Sequence, residues 1–309
     1  MRGFAGGGAG GFLIQNRAGA GSAGTGGARA QLTSGAVAAS AAGALGTAAV
    51  SGGSEVCDGV DNDGNSIIDD VDMQHDGVCD CLNIATIGEI GPWSNGGNVF
   101  KSWLNQRSPT PVKELGDAVL TDELLKPFQV IVILYAATVD LNGTNGRMLR
   151  AHHVFSDDEV AAFSRWVQSG GGVMTTSGYY YDEATEVANV NRLLAPFGMG
   201  YSTTKRDLGG RCETWVPHPV TEQVKRIVTM DGVEPDGAAG TTLAYDEGHR
   251  VALQVAEAQA GHLIVWGDDW ITYDSEWQSI TDQQVERFWL NILKWLSPAR
   301  VCQVPISPD

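Results

Sequence analysis

Apolar residues between positions 82 and 297 follow two alternating patterns. Short continuous apolar runs predict β-strands, and runs without polar interruption are typical of strands covered on both faces of a parallel sheet. The predicted strands are LNIATIGEI (82–90), QVIVILYAA (129–137), GVMTTS (172–177), VALQVAEA (251–258) and HLIVWGDD (262–269). A turn around Ala260 and Gly261 separates the last two.

Other stretches space their apolar residues at helical intervals and predict helices. These are GNVFKSWLNQR (97–107), TDELLKPF (121–128), SDDEVAAFSRWVQSGGG (156–172), ANVNRLLAPFG (188–198) and TDQQVERFWLNILKWL (281–296). Ser156 with Glu159, and Thr281 with Gln284, have the spacing of capping boxes. Strands and helices alternating in this way predict an open, mostly parallel α/β sheet with helices on both faces. The stretch between the fourth helix and residue 251 is less regular.

The order of these segments resembles the class I glutamine amidotransferase-like superfamily. The resemblance covers residues 82–297 and is nearest to divergent, non-amidotransferase branches, with a helix running into Gly-Gly-Gly, a His-Pro-Val-Thr turn at 218–221 and a terminal Trp-Leu helix. It implies a flavodoxin-like fold.

Composition divides the rest of the chain. Residues 1–54 are rich in Gly and Ala and predict a disordered tail or stalk, residues 55–81 form an acidic, Cys-bearing segment, and residues 298–309 form a C-terminal tail. Such Gly/Ala tails commonly follow a secretion or lipoprotein signal. We therefore expect an extracellular or cell-envelope protein, with an upstream signal or lipid anchor as a possible tether and no integral membrane span.

Charge narrows the range of partners. The chain has 37 acidic and 20 basic residues and a net charge of −17. The electrostatic field of this negative charge repels phosphate backbones and anionic lipids, so we expect no nucleic-acid partner and no polybasic membrane contact. The same field attracts cationic ligands.

The acidic segment matches a calcium loop position by position. Counting from Asp61 places oxygen ligands at Asp61, Asp63, Asn65, the Ile67 carbonyl, Asp69 and Asp72. Oxygen-only ligands favour Ca²⁺ over zinc or copper. Ser66 stands where such loops usually have Gly, and Asp72 is shorter than the usual Glu, so we expect a dissociation constant of about 10⁻⁴ to 10⁻³ M. The alternative is an acidic, solvated linker.

The same segment resembles a metal-binding motif of secreted myxobacterial-type proteins, Cys-Asp-Gly-x-Asp-Asn-Asp followed by an acidic run. Gly64 stands where that family usually has a second Cys, which implies that Cys57 pairs with Cys79 or Cys81. Cys212 is either a partner for Cys302 or a buried thiol. In a cytosolic protein, the three clustered cysteines would instead mark a soft-metal or redox site.

The resembled amidotransferases use a Cys nucleophile with a His and a Glu, and no such triad is recognisable here. The strand at 172–177 ends in Ser177, with no Cys and no G-x-S-x-G pattern. Ser177, Asp268 and Asp269 are the remaining catalytic candidates. We expect His218 to have a structural role in its His-Pro turn.

Ligands of open α/β sheets bind beyond the carboxyl ends of the strands. The aromatic and acidic residues expected there suit a carbohydrate, small metabolite or cation-bearing ligand. They are Trp93, Tyr179, Tyr181, Asp268, Asp269, Trp270 and Asp274. The alternative places Trp270 and Trp277 in the core and uses Asp268 to cap a turn.

His152 and His153 are adjacent in a predicted loop, where we expect exposed imidazoles pointing in different directions. One of them with Asp157 is a second possible metal contact. Taken together, the sequence predicts a catalytically degenerate binding module with Ca²⁺ as its cofactor. The alternatives are a hydrolase of the same superfamily, acting on a carbohydrate or small metabolite, and a scaffold with no small ligand.

Overall fold

Eight strands form the main sheet of the computed structural model, which describes residues 54–88, 96–142, 148–178, 186–278, 282–298 and 301–302. The predicted ligand residues Trp93, Tyr179 and Tyr181 lie outside the described residues, as does the predicted tail up to residue 53. In chain order the elements are β1 (Ile84–Ile87), α1 (Asn98–Asn105), β2 (Lys113–Gly116), α2 (Asp122–Leu125), β3 (Val130–Ile133), β4 (Leu141–Asn142), β5 (Met148–Leu149), α3 (Asp157–Gln168), β6 (Gly172–Thr175), α4 (Ala188–Leu194), β7 (Tyr201–Cys212), β8 (Thr214–Trp215), β9 (Ile227–Pro235), β10 (Thr241–Tyr245), β11 (Val251–Ala258), β12 (Gly261–Trp266), α5 (Asp274–Gln278) and α6 (Val285–Leu296).

The main sheet is mostly parallel, as predicted. Its strand order is β2-β1-β3-β6-β12-β11-β10-β8. The first five strands run parallel, and Val130 of β3 pairs with Ile84 on one side and with Gly172 on the other. Strands β11, β10 and β8 extend the sheet in antiparallel fashion. The turn between β11 and β12 pairs Ala258 with Gly261, where the sequence placed it.

Helices cover both faces of the sheet, which explains why β3 carries apolar residues only. Val130 and Val132 pack in one core cluster with α1 and α6, whereas Ile131 and Ile133 pack in a second cluster with α3 and α4. All four side chains are at most 1% exposed. This two-sided burial is consistent with a flavodoxin-like arrangement.

The less regular middle of the sequence forms a long two-stranded ribbon of β7 and β9. The register between the two strands shifts three times. Asp207, Gly210 and Asp231 have positive φ angles of 74°, 104° and 55°. Such irregularities break the two-residue alternation by which a strand is recognised.

The capping box predicted for Ser156 and Glu159 is present, whereas Thr281 of the second predicted box lies outside the described residues. Ser156 accepts a hydrogen bond from the Glu159 backbone, and the Glu159 carboxylate accepts one from the Ser156 backbone. The predicted start of the last helix is wrong, since α6 begins at Val285. Gln284 instead accepts hydrogen bonds from the backbone N–H groups of Lys225 and Arg226 at 2.9 and 2.8 Å.

One disulfide lies within the acidic segment, and a second links the segment to the C-terminal part of the chain. Cys57 pairs with Cys81, which is one of the two partners expected for it, and Cys79 pairs with Cys302. The expected pairing of Cys212 with Cys302 is therefore wrong, and Cys212 is a buried free thiol, which was its alternative. No helix in the described part of the chain is long and apolar enough to cross a lipid bilayer.

We predict that a non-reducing peptide map will recover the Cys57–Cys81 and Cys79–Cys302 pairs and one free thiol. The Cys302→Ser substitution should lower the free energy of unfolding by about 2–5 kcal/mol, because it opens a link across 223 residues. Chemical denaturation would measure the loss. Recovery of a Cys212–Cys302 peptide would contradict the assignment.

Candidate functional site

The carboxyl ends of β6 and β12 bring together the polar residues that follow these strands. The two strands are parallel neighbours, and Thr175 of β6 pairs with Val265 of β12. We call the residues that follow them the carboxyl rim: Thr176, Ser177, Gly178, Asp268 and Asp269. All five are buried.

Asp269 lies directly against the end of β6. A Cβ atom on Gly178 would stand 2.3 Å from its Oδ1 atom, so this close approach requires glycine. The Tyr273 hydroxyl donates a hydrogen bond to Asp269 Oδ2 at 2.8 Å. These contacts fix the carboxylate beside the strand end.

Asp268 has a structural position, as its alternative interpretation proposed. Its side chain is fully buried and accepts hydrogen bonds from the backbone N–H of Trp270, at 2.6 Å, and of Met230. Burial, followed by the charge of Asp269, raises the pKa of Asp268 well above its usual value. Asp268 therefore links β9 to the end of β12, and its carboxylate is engaged by these backbone groups.

Two further predicted rim residues have different surroundings. Asp274 accepts a hydrogen bond from the Val99 backbone N–H at 2.8 Å and so binds the first turn of α1. Trp270 is half-buried, with its ring centroid 6.2 Å from that of Tyr273. Trp277 packs against the core cluster, as in the alternative interpretation.

Ser177 and Thr176 each carry an unsatisfied hydroxyl. Ser177 Oγ and Thr176 Oγ1 are buried and have no hydrogen-bond partner among the described residues. A base that activates a serine must lie within hydrogen-bond reach of its oxygen. The described part of the chain provides none for Ser177.

The acidic segment groups a different set of carboxylates from the one counted along the sequence. One oxygen each from Glu55, Asp61 and Asp63 lies within 4.8 Å of the others. Asp61 also accepts hydrogen bonds from the backbone N–H groups of Gly64 and Ser66 at 2.6 and 2.8 Å. Glu55 lies upstream of the twelve-residue count, so the position rule could not identify it.

The last two predicted ligands of the loop bind backbone groups elsewhere. Asp69 accepts hydrogen bonds from the N–H groups of Asp58 and Gly59, both at 2.9 Å. Asp72 accepts them from Asp76 and Gly77 at 3.0 and 2.9 Å.

The middle of the loop makes a left-handed turn although it has Ser66 in place of the usual glycine. Ser66 adopts a φ of 75°, the left-handed conformation for which such loops usually use glycine. Asn65 Oδ1 accepts a hydrogen bond from the Ile67 N–H at 2.7 Å. Ile68 forms a parallel bridge with Val301, which connects the loop to the C-terminal end of the domain.

Comparisons with known proteins show the fold alone. No protein-family model matches the chain, and no curated protein matches it at a significant level. The N-terminal domain of mmIFT52 matches with a TM-score of 0.51 and 14% identity, over 69% of this chain and 96% of that one. A cytoplasmic protein from Salmonella typhimurium LT2 matches with a TM-score of 0.52 and 18% identity, over 69% of this chain and 99% of that one. A ThuA-like protein from Bacteroides uniformis ATCC 8492 has a TM-score of 0.42 and 15% identity, over 69% of this chain and 90% of that one.

Asp80, a buried residue of the acidic segment, should make stability depend on pH. Burial raises its pKa to about 6, opposed by a hydrogen bond from the Met73 N–H and supported by the charges of Asp76 and Asp72. Because the folded-state pKa exceeds the unfolded one, the stabilising contribution is complete below about pH 4. It is lost as the pH rises through about 6.

We therefore predict that Asp80→Asn raises the melting temperature at pH 7–8 and changes it little below pH 4. Thermal unfolding in EDTA across this range measures the effect. The exposed Asp231→Asn variant, at a left-handed position that Asn tolerates, is the control. Equal shifts for Asp80→Asn at both ends of the pH range would contradict the assignment.

Proposed function

We propose that this protein is an exported binding module, of a divergent branch without the amidotransferase triad, that holds a small polar ligand at the carboxyl rim. The observation that carries the proposal is the pair of buried, unsatisfied hydroxyls of Thr176 and Ser177 at the end of β6. A buried polar group without a partner costs about 1–3 kcal/mol, so such a pair calls for an explanation. A ligand that supplies hydrogen bonds would remove that cost.

The surroundings favour a hydroxyl-rich ligand such as a carbohydrate. Trp270, half-buried next to the rim, offers an aromatic face, and the Asp269 carboxylate can accept hydrogen bonds from sugar hydroxyls. The competing hydrolase needs an activated nucleophile or a general acid. Ser177 has no base within reach among the described residues, and Asp268 is fully buried with its carboxylate held by two backbone groups. Binding is the better-supported activity.

Export is supported by the cysteines. Four of the five form disulfides, which persist in oxidising compartments and are rare in the cytosol. The fifth, Cys212, is buried, and burial raises its pKa strongly, so it stays a thiol. This distribution fits a protein of the cell envelope or exterior.

Calcium is the cofactor we propose for the acidic segment. Glu55, Asp61 and Asp63 would hold the ion, and hard oxygen donors suit Ca²⁺. Two buried carboxylate oxygens in this segment, Glu55 Oε2 and Asp70 Oδ1, have no partner among the described residues. The ion would offset the repulsion between these carboxylates and order the segment.

A thermal-shift screen against monosaccharides, oligosaccharides and small metabolites tests the binding proposal. We expect at least one sugar to stabilise the protein, and Ser177→Ala to weaken its binding about 2- to 10-fold, as for loss of a neutral hydrogen bond. Without the sugar, Ser177→Ala should be as stable as the parent or more so, because it removes an unsatisfied group. Titration calorimetry gives the affinities.

Ser108→Ala is a matched control. Its hydroxyl is also buried and unsatisfied, but it precedes the amino end of β2, at the opposite edge of the sheet. Sugar binding should be unchanged in this variant. Equal losses in the two variants, or hydrolysis of the sugar abolished by Ser177→Ala, would refute the binding-module proposal.

Calcium should stabilise the protein measurably. With a dissociation constant of about 10⁻⁴ to 10⁻³ M, adding about 10 mM Ca²⁺ to EDTA-treated protein should raise the free energy of unfolding by about 1–3 kcal/mol. Glu55→Gln and Asp61→Asn should each remove most of this gain. Denaturant unfolding with and without Ca²⁺ measures it.

Asp231→Asn, far along the chain on the exposed side of β9, should keep the full calcium response. A response lost in Asp72→Asn but retained in Glu55→Gln would favour the twelve-residue arrangement counted along the sequence. Absence of any calcium effect would reject the site.

A further inference from the structure

His152 and His153 lie close to Asp117 at the carboxyl edge of the sheet. Asp117 follows the end of β2, and the two histidines precede α3. The His152 backbone N–H donates to the Ala137 carbonyl, beyond β3, at 2.7 Å. The histidines are thus fixed to the sheet, and the cluster is separate from the carboxyl rim of β6 and β12.

The arrangement differs from the sequence expectation of two exposed imidazoles pointing apart. His152 is only 7% exposed, and the ring centroids lie 4.6 Å apart with an interplanar angle of 31°. Asp157, the acid considered from the sequence, forms an ion pair with Arg192 at 2.7 Å instead. Asp117 comes from a different loop, 36 residues before His153.

In each imidazole ring, Nε2 lies against an oxygen acceptor other than Asp117. His152 Nε2 lies 3.0 Å from the Gly116 carbonyl oxygen, and His153 Nε2 lies 2.7 Å from Glu159 Oε1. Glu159 is in turn held by backbone N–H groups of Leu120 and Ser156 at 2.9 and 2.8 Å. Each Nε2 can donate its N–H to one of these acceptors when the ring is neutral.

The other nitrogen of each ring faces Asp117. His153 Nδ1 lies 2.6 Å, and His152 Nδ1 3.4 Å, from the same oxygen, Asp117 Oδ1. His152 Nδ1 also faces the His153 carbonyl oxygen at 2.9 Å. A neutral imidazole has a single N–H, so with Nε2 protonated each Nδ1 points a lone pair at oxygen. That contact is favourable only with a cation between the atoms, either a proton on each ring or one metal ion.

We propose that Asp117, His152 and His153 form a zinc-type metal site, with the two Nδ1 atoms and the Asp117 carboxylate as ligands. Their ligand atoms all lie within 4.8 Å of one another. Metal-binding histidines characteristically donate their other N–H to a carboxylate or backbone carbonyl, the roles that Glu159 and the Gly116 carbonyl have here. Imidazole and carboxylate donors together suit Zn²⁺.

Charge balance supports a divalent ion. With neutral rings, the carboxylates of Asp117 and Glu159 give the cluster a charge that one Zn²⁺ neutralises. Three protein ligands leave one position of a tetrahedral zinc ion for water, the arrangement found in zinc sites that bind substrates. The Asp117 side chain is 62% exposed, so solvent reaches the cluster from that side.

Equilibrium dialysis of EDTA-treated protein against Zn²⁺, with metal analysis, tests the proposal. Saturating Ca²⁺ is added to occupy the acidic segment. We expect one Zn²⁺ per chain. Asp117→Asn and His153→Gln should weaken binding at least tenfold, whereas Glu159→Gln, which acts through His153, should weaken it by about 10- to 100-fold without abolishing it. Co²⁺ in place of Zn²⁺ should give the intense visible absorption of a tetrahedral site.

Two controls separate this site from other metal contacts. His249→Asn removes an exposed histidine at a φ of 58°, which Asn tolerates, and should leave zinc binding unchanged. Asp61→Asn should also leave it unchanged, so failure of the calcium proposal does not affect this one. Zinc binding that survives Asp117→Asn and His153→Gln, or no binding at millimolar Zn²⁺, would overturn the proposal and leave a proton-bridged ion-pair network.

Discussion

Burial of the parallel strands on both faces is the constraint from which the arrangement of this molecule follows. Helices α1 and α6 cover one face and α3 and α4 the other, so the central strands carry almost no polar side chains. Polar groups that a ligand could use must then lie where the strands end. At the carboxyl edge, β6 ends in Thr176 and Ser177, β12 in Asp268 and Asp269, and β2 in the loop that carries Asp117. Parallel pairing brings these ends to one side of the sheet.

The acidic segment packs into one of the two cores that bury the sheet. Val78, Cys79 and Cys81 belong to the core cluster that also contains α1 and α6. The segment is thus part of the folded core, although carboxylates crowd its outer part. Two basic side chains lie near its acidic residues: Arg107 forms an ion pair with Asp76, and Lys294 interacts electrostatically with Asp72. Disulfides hold these like charges together covalently, and a bound cation would lower their mutual repulsion.

Local features of the sequence were sufficient to predict the layers of the fold. The buried run of β3 and the capping box of α3 depend on residues a few positions apart, and both are present. The Cys79–Cys302 pair spans 223 residues, so no spacing rule could assign it. The β7–β9 ribbon was missed because its register shifts break the alternation.

The candidate sites follow the same division between local and distant information. Ser66 was expected to be a departure from the glycine of such loops, yet it adopts the left-handed conformation, and Glu55 lies outside the loop that was counted. Tertiary structure brings Asp117 to His153. Asp157, which is nearer to His153 along the sequence, forms an ion pair with Arg192 instead. Asp268 and Asp269 are adjacent and chemically identical. Asp268 accepts hydrogen bonds from two backbone N–H groups, whereas Asp269 packs on Gly178. Sequence identifies such candidates, and their tertiary contacts distinguish between them.

The positions of the two carboxyl-edge sites limit how they could cooperate. Asp117 follows β2 and Ser177 follows β6, and the strand order places β1 and β3 between them. Three strand spacings separate the two ends by about 14 Å. A monosaccharide is too short to contact both sites at once, whereas a chain of several sugar units could do so. A metal at Asp117 would therefore act on a ligand bound at Ser177 only if that ligand were oligomeric, and on a small ligand the two sites would be independent.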